Sequence, residues 1–453
     1  MPKPDMTAQL APLTQSLLSA AKKAGADTAD AIAVDGRSVS IDVRKGGLEQ
    51  AERSEGLEIG LRVFVGQRQA CISASDTRPE TLAAMAARAV AMAREAPEDA
   101  YAGLAESHQL AMLRSADGLE MLDPAPEPDP ATLQEDARRA EAAALAVGGV
   151  TQVQSASAAY GQQAIWLAAT NGFSGGYARS SRHISCVAIS GEGSGMERDW
   201  CGEGRVFQTD LPAPEDVGHL AAERAVARHG ARRPKTGAYP VLYDERIASG
   251  LIGHLVAAIN GASVVRGSSW LRDAMGEQVL PKGLSLHEDP HRPRASASRP
   301  FDAEGLQTRM RDLVADGILQ GWVLDLSSAR KLGLESTASA MRGTSAPPSP
   351  GTTNWALTQG DASREDLIAQ MGTGLLVTSL IGSTINPNTG DYSRGASGFW
   401  VENGEIAYPV NECTIAGNLR DMLGRIIPAN DARAHVSHVV PSLLVEGMTL
   451  AGD

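Results

Sequence analysis

The chain has 453 residues, 43% of them hydrophobic and only 4% aromatic, and a net charge of −13. That length exceeds what one hydrophobic core organises, so two or three domains are expected, with cores filled by Ala, Val, Leu and Ile. The acidic balance argues against a broad nucleic-acid-binding face, and no apolar run approaches the roughly 20 residues that span a bilayer.

Residues 1–13 show no cationic segment leading into an apolar one, so no secretory leader is read there. Leu10, Leu13, Leu17 and Leu18 predict an amphipathic helix over 7–25. Short alternating runs from Ala29 to Ser75, broken by Gly36, Gly46-Gly47 and Gly66, predict an antiparallel meander, with an alanine-rich helix over 79–95. Residues 115–136 carry seven carboxylates and no base, with Pro124, Pro126, Pro128 and Pro130 in alternation. Such a stretch reads as a linker or extended strap. A second helix (131–147), β region (Thr151–Val206) and helix (215–230) repeat the order of the first unit.

A strand at Tyr239–Tyr243, a helix over 245–260 stopped at Asn260-Gly261, loop-rich short strands over 262–360 and a helix over 363–371 open the last part. Phe399–Tyr408 then reads as a hairpin around Asn403-Gly404, since both central residues of a type I′ turn need positive φ. A two-residue turn pairs Val401 with Ile406 and Phe399 with Tyr408, and Pro409 ends the strand or lies on an edge. The fold class is α+β: two helix/meander units (1–114 and 115–232) followed by a larger, mostly β domain (233–453).

Most local motifs do not survive scrutiny. His287-Glu288-Asp289-Pro290-His291 matches H-E-x-x-H, but Pro290 sits inside the helix that a zinc motif requires, so a surface loop is the better reading. Gly191–Gly195 lacks a following apolar helix and reads as a hairpin connection. Ser397 reads as a small residue at a strand entry. The four cysteines, Cys71, Cys186, Cys201 and Cys413, form no C-x-x-C and suit a reducing cytosol. His254, on the apolar face of the 245–260 helix, reads by spacing alone as a core residue.

Asn386–Trp400, Val401–Gly404, Tyr408–Glu412 and Thr414–Leu419, together with Ser298-Arg299-Pro300-Phe301-Asp302-Ala303-Glu304-Gly305, resemble the TldD/PmbA family. The likeness runs over nearly the whole chain and is greater to the PmbA (TldE) branch. In the TldD branch an H-E-x-x-x-H helix and a cysteine near the C-terminus hold a metal. That helix falls on Ser249–His254, where only the second histidine position, His254, is kept. Ser249 and Gly250 stand at the first histidine and the glutamate.

The resemblance implies a cytoplasmic, metal-free subunit of a heterodimeric metallopeptidase, with zinc on a TldD-like partner. Unfolded or precursor peptides would be its substrates, held as a strand in a cavity this chain helps to enclose. Isolated, the chain could pair with itself as a homodimer. No catalytic or metal residue is assigned to it. Asn386, Asp391, Tyr392, Ser393 and Arg394 are the candidates for groove or interface contacts, with local turn-capping as their other reading. Two alternatives stay open: an autonomous hydrolase, and a binding protein modulating DNA gyrase or a toxin–antitoxin pair.

Overall fold

A computed structural model describes residues 7–453. Residues 1–6, where the stretch without a leader pattern begins, lie outside the described residues.

Helix α1 (Leu10–Ala24) buries Leu10, Leu17 and Leu18 and stops at Gly25, whose φ of 95° suits glycine. Strands β1 (Thr28–Arg44), β2 (Gly47–Val65) and β3 (Arg68–Ala74) form the expected meander, followed by α2 (Pro79–Glu95). The second unit repeats this with α3 (Pro130–Leu145), β4 (Val150–Ala169), β5 (Ser174–Ser190), β6 (Glu197–Arg205) and α4 (Pro214–Ala227). The acidic segment is not extended to its end: Pro130 begins α3, where its missing N–H costs nothing, and Asp129 caps the helix. Upstream of it the chain runs as a strap along the sheet, with Glu127 paired to Arg53 at 2.8 Å.

The two units share one sheet. β1 pairs antiparallel with β4 from Asp30↔Ala169 to Val43↔Ala156, giving the order β3-β2-β1-β4-β5-β6. Ala31, Ala33, Val39 and Ile41 of β1 face the helices, whereas Ile32 and Val34 point to the other face, towards Phe301 of the last domain.

That domain starts with β7 (Gly237–Tyr243) and α5 (Glu245–Ala258). After short strands and loops come α6 (Arg364–Met371), β8 (Gly374–Ile385), β9 (Asp391–Glu402), β10 (Glu405–Asn418) and β11 (Leu443–Ala451). The order is β10-β9-β8-β7-β11, and Thr414↔Ala451 pairing of β10 with β11 closes a barrel. Alternate residues serve two cores: Val241, Tyr243, Leu375, Val377 and Val445 pack with α5, while Leu242, Leu376 and Leu444 pack with α6.

Two local expectations change. The Asn403-Gly404 turn has positive φ at both residues (54° and 79°), and Val401 does face Ile406, but Trp400 rather than Phe399 faces Tyr408. Ala407 is an extra residue in β10, a bulge that moves Phe399 opposite Pro409. Asn260 does not merely stop α5; its side chain accepts from Ala262 N and starts the short helix Gly261–Val265.

Candidate functional site

Helix α5 is anchored at its first turn. Asp244 caps it and accepts from Arg246 Nε (2.9 Å) and Arg364 Nη1 (3.1 Å), and Arg246 reaches on to Asp199 of β6 at 3.2 Å. Ala248, Leu251, Ile252 and Leu255 bury one face. On the other, a Cβ placed on Gly250 or Gly253 would meet no atom within 4 Å, so room is left beside the helix. Ser249 lines a cavity of about 510 Å³ that also takes in His183, His435 and His438. His254 is half-buried, edge-on to Tyr392 with ring centroids 5.8 Å apart. Burial, and then the Arg394 charge, push its imidazole below its ordinary range, so it is neutral at pH 7. Positions 249, 250 and 254 thus offer a hydroxyl, a hydrogen and one neutral imidazole. Among the described residues no three His, Cys, Asp or Glu side chains gather to hold a metal ion.

The five residues singled out as groove or interface candidates do not form one surface. Asn386 and Asp391 lie exposed at the β8–β9 turn. Asn386 Oδ1 accepts from Asn388 N at 3.0 Å, and Asp391 accepts from Thr389 Oγ1 (2.6 Å) and Asn418 Nδ2 (3.1 Å). These bonds hold the Asp391 carboxyl below the usual range. Tyr392 is 2% exposed, between Tyr243 and His254 in the core, so in this chain it packs rather than presents itself to a groove. Ser393 and Arg394 are half-buried, and Arg394 Nε has no hydrogen-bond partner among the described residues.

The H-E-x-x-H match is dispersed by strand geometry. His287 and Glu288 are neighbours on Leu286–Glu288, so they point to opposite faces. His287 pairs with Asp312, while Glu288 is buried against Arg311 (2.8 Å) and Thr353. Gly191–Gly195 connects β5 to β6. Ser397 lies inside β9, buried, accepting from Arg228 Nη2 at 2.9 Å.

One feature had escaped sequence reading. Between the helix-free face of the sheet and the β8–β9 hairpin lies a cleft of about 700 Å³, bordered by Val187, Ile189, Trp200, Arg228, Ser379 and Ile381. Trp200 is 55%, Met196 49% and Ile381 73% exposed, an unusual concentration of bare apolar side chains. β8 pairs with β7 only over Leu375–Val377. Beyond it, among the described residues, no strand covers the second edge of β8 from Ser379 to Ile385. The signal was present in the alternation of Val187, Ile189 and Trp200, but the cleft needs two distant segments to meet.

Models of the PmbA/TldA metallopeptidase match the chain in three parts: domain 1 over 29–93, the central domain over 123–228 and the C-terminal domain over 236–452. Metalloprotease PmbA of Escherichia coli is 39% identical over 92% of this chain and 90% of its own length. The chain belongs to the PmbA/TldD family. Two solved structures share the fold of this family member. One, from Bacteroides thetaiotaomicron and named for a suggested role as a modulator of DNA gyrase, has a TM-score of 0.91 and 25% identity, covering 99% of this chain and all of that one. The other, TldE of Thermococcus kodakarensis, has a TM-score of 0.84 over 97% of this chain and all of that one; at 19% identity it speaks for the fold alone.

Proposed function

We propose that this PmbA/TldE-type chain holds extended peptides for a metal-bearing, TldD-like partner and does not cleave them itself. The observation that carries the reading is the uncovered edge of β8 over Ser379–Ile385, beside a cleft with bare apolar side chains. A strand edge binds peptide backbone through main-chain hydrogen bonds, with side chains taken up by neighbouring pockets, and so makes little demand on sequence. Met196, Trp200 and Ile381 are suited to side chains of unfolded peptides.

The donor set on α5 does not fit a catalytic zinc, which needs about three protein ligands and an open position. His254 supplies one ligand at most, Ser249 and Gly250 supply no imidazole or carboxylate, and residues 432–453 contain no cysteine. Hydrolysis is therefore assigned to the partner, and no step is assigned to a metal on this chain. Among the described residues no helix is long and apolar enough to cross a membrane, and four unpaired thiols suit the cytoplasm.

The test is reconstitution. Purified chain, a TldD-like protein and their mixture are assayed for cleavage of an unfolded peptide, with metal quantified in each. Cleavage by the mixture, with the metal on the partner, is expected; turnover by this chain alone with stoichiometric zinc lost in His254→Ala would overturn the assignment. Ile381→Asp should weaken peptide capture by the mixture while leaving this chain folded, since the side chain is 73% exposed.

A further inference from the structure

The Ser298–Gly305 motif contributes to a second cavity, about 280 Å³, where the N-terminal sheet meets the last domain. Arg299 is 7% exposed; its Nη1 donates to Ala340 O at 3.1 Å, and its Nε and Nη2 have no hydrogen-bond partner among the described residues. Arg342, whose side chain is fully buried, pairs with Asp30 through Nη1 and leaves Nη2 without a partner. Arg179 donates from both Nη atoms to the carbonyls of Ser296 and Ser298, and its Nε is likewise unmatched. Native interiors rarely leave charged donors in this state.

All three arginines line the same space, the Arg179 guanidinium lying over the Tyr177 ring at 5.1 Å, and Asp302 is the one carboxyl-bearing residue in that lining. Asp302 is already engaged by the N–H groups of Glu304, Leu306 and Ala340. Asp30, outside the lining, is shared between Arg62 and Arg342. The cavity therefore carries an excess of positive charge. Ile32, Leu167 and Phe301 supply apolar wall, and Met341, 44% exposed, stands at the rim.

We propose that this cavity binds a small carboxylate borne on an apolar stem. Its two oxygens meet the fork of Arg299, with Arg179 and Arg342 alongside, and the stem lies against Ile32, Leu167 and Phe301. A planar carboxylate matches a guanidinium bidentately. Inorganic phosphate would gain nothing from the apolar wall. The site is independent of the cleft beside β8.

Isothermal titration of the full chain with N-acetyl-leucine tests this, with N-acetyl-leucinamide and inorganic phosphate as comparisons. N-acetyl-leucine should bind, and the neutral amide and phosphate at least about tenfold more weakly. Arg299→Lys keeps the charge but loses the fork and should weaken binding by about tenfold or more. Met341→Glu, at the rim, should weaken it through repulsion without touching a buried arginine, and thus keeps the test valid if the Arg299 variant fails to fold. No binding of N-acetyl-leucine, equal binding of its amide, tighter binding of phosphate, or unchanged affinity in Met341→Glu overturns the assignment. N-acetyl-Ala-Ala-Leu separates the sources: comparable affinity points to peptide C-termini, exclusion to free small acids, and either supports a carboxylate site.

Discussion

Asp30 ties the N-terminal sheet to the last domain through two arginines. It is 3% exposed on β1; it accepts a hydrogen bond from Arg62 Nε of β2 at 2.7 Å, forms an ion pair with Arg62 Nη2 at 2.5 Å, and pairs with Arg342 of the last domain. Asp30→Asn keeps the shape but leaves two buried cations facing a neutral amide. Breaking a buried ion pair from one side costs about 3–5 kcal/mol, a large part of the roughly 5–15 kcal/mol that holds a domain folded. With an unfolding entropy of about 2.1 cal/mol/K per residue, the 453 residues melting together would show a fall in Tm of about 3–5 °C. Separate melting of the N-terminal sheet, about half the chain, would roughly double it. Differential scanning calorimetry reads both magnitude and cooperativity. The two arginines hold the Asp30 carboxyl below its usual range against the opposing pull of burial. Its contribution is thus present above the unfolded carboxylate pKa and lost as pH falls through the lower folded value, so wild type and variant should converge in acid. A loss under about 1 kcal/mol at pH 7, or a difference that persists in acid, would refute the reasoning.

Three further outcomes follow from buried or strained positions. Burial, with Asp302 nearby, raises the Glu304 carboxyl to about 8; the folded state then holds a proton the unfolded state releases, so stability falls as pH rises from the ordinary carboxylate range to about 8. Glu304→Gln, followed by urea denaturation across pH, should flatten that slope and be the more stable form at alkaline pH. A Cβ on Gly60 would lie 2.2 Å from Thr344 O; Gly60→Ala should cost about 1–3 kcal/mol in thermal unfolding through backbone displacement. Asn403 has a φ of 54° at the hairpin turn, and Asn403→Val should cost about 1–2 kcal/mol in denaturant unfolding, whereas Asn403→Gly should not.

Local structure was readable because local signals agreed. Helix α2 matches its expected span, and the I′ turn forms where Asn403-Gly404 allows positive φ. The bulge at Ala407 was not readable, because an extra residue leaves no mark in an alternating run. Nor was the β1–β4 pairing, which joins residues more than a hundred positions apart with sides equally alternating. At the site, His254 was placed correctly on a helix. The burial of Tyr392 escaped because its polar neighbours in sequence, Asp391 and Ser393, point elsewhere along an alternating strand. Asp30, Arg62, Arg299 and Arg342 look like surface charges in sequence; their burial depends on the meeting of the sheet with the last domain.

The shared sheet also sets a timetable for synthesis. Once β1 has left the ribosome, this 17-residue strand has one edge without its partner until β4 follows, and β4 ends 125 residues beyond the end of β1. At about 5–20 residues per second that gap lasts roughly 6–25 s. During it, a long edge with Ala29, Ala31 and Ile32 stands ready to pair with another nascent chain. Slow translation between residues 44 and 169 would lengthen this exposure, so the speed of elongation there, as well as the stability of the finished fold, should govern how much protein matures without aggregating.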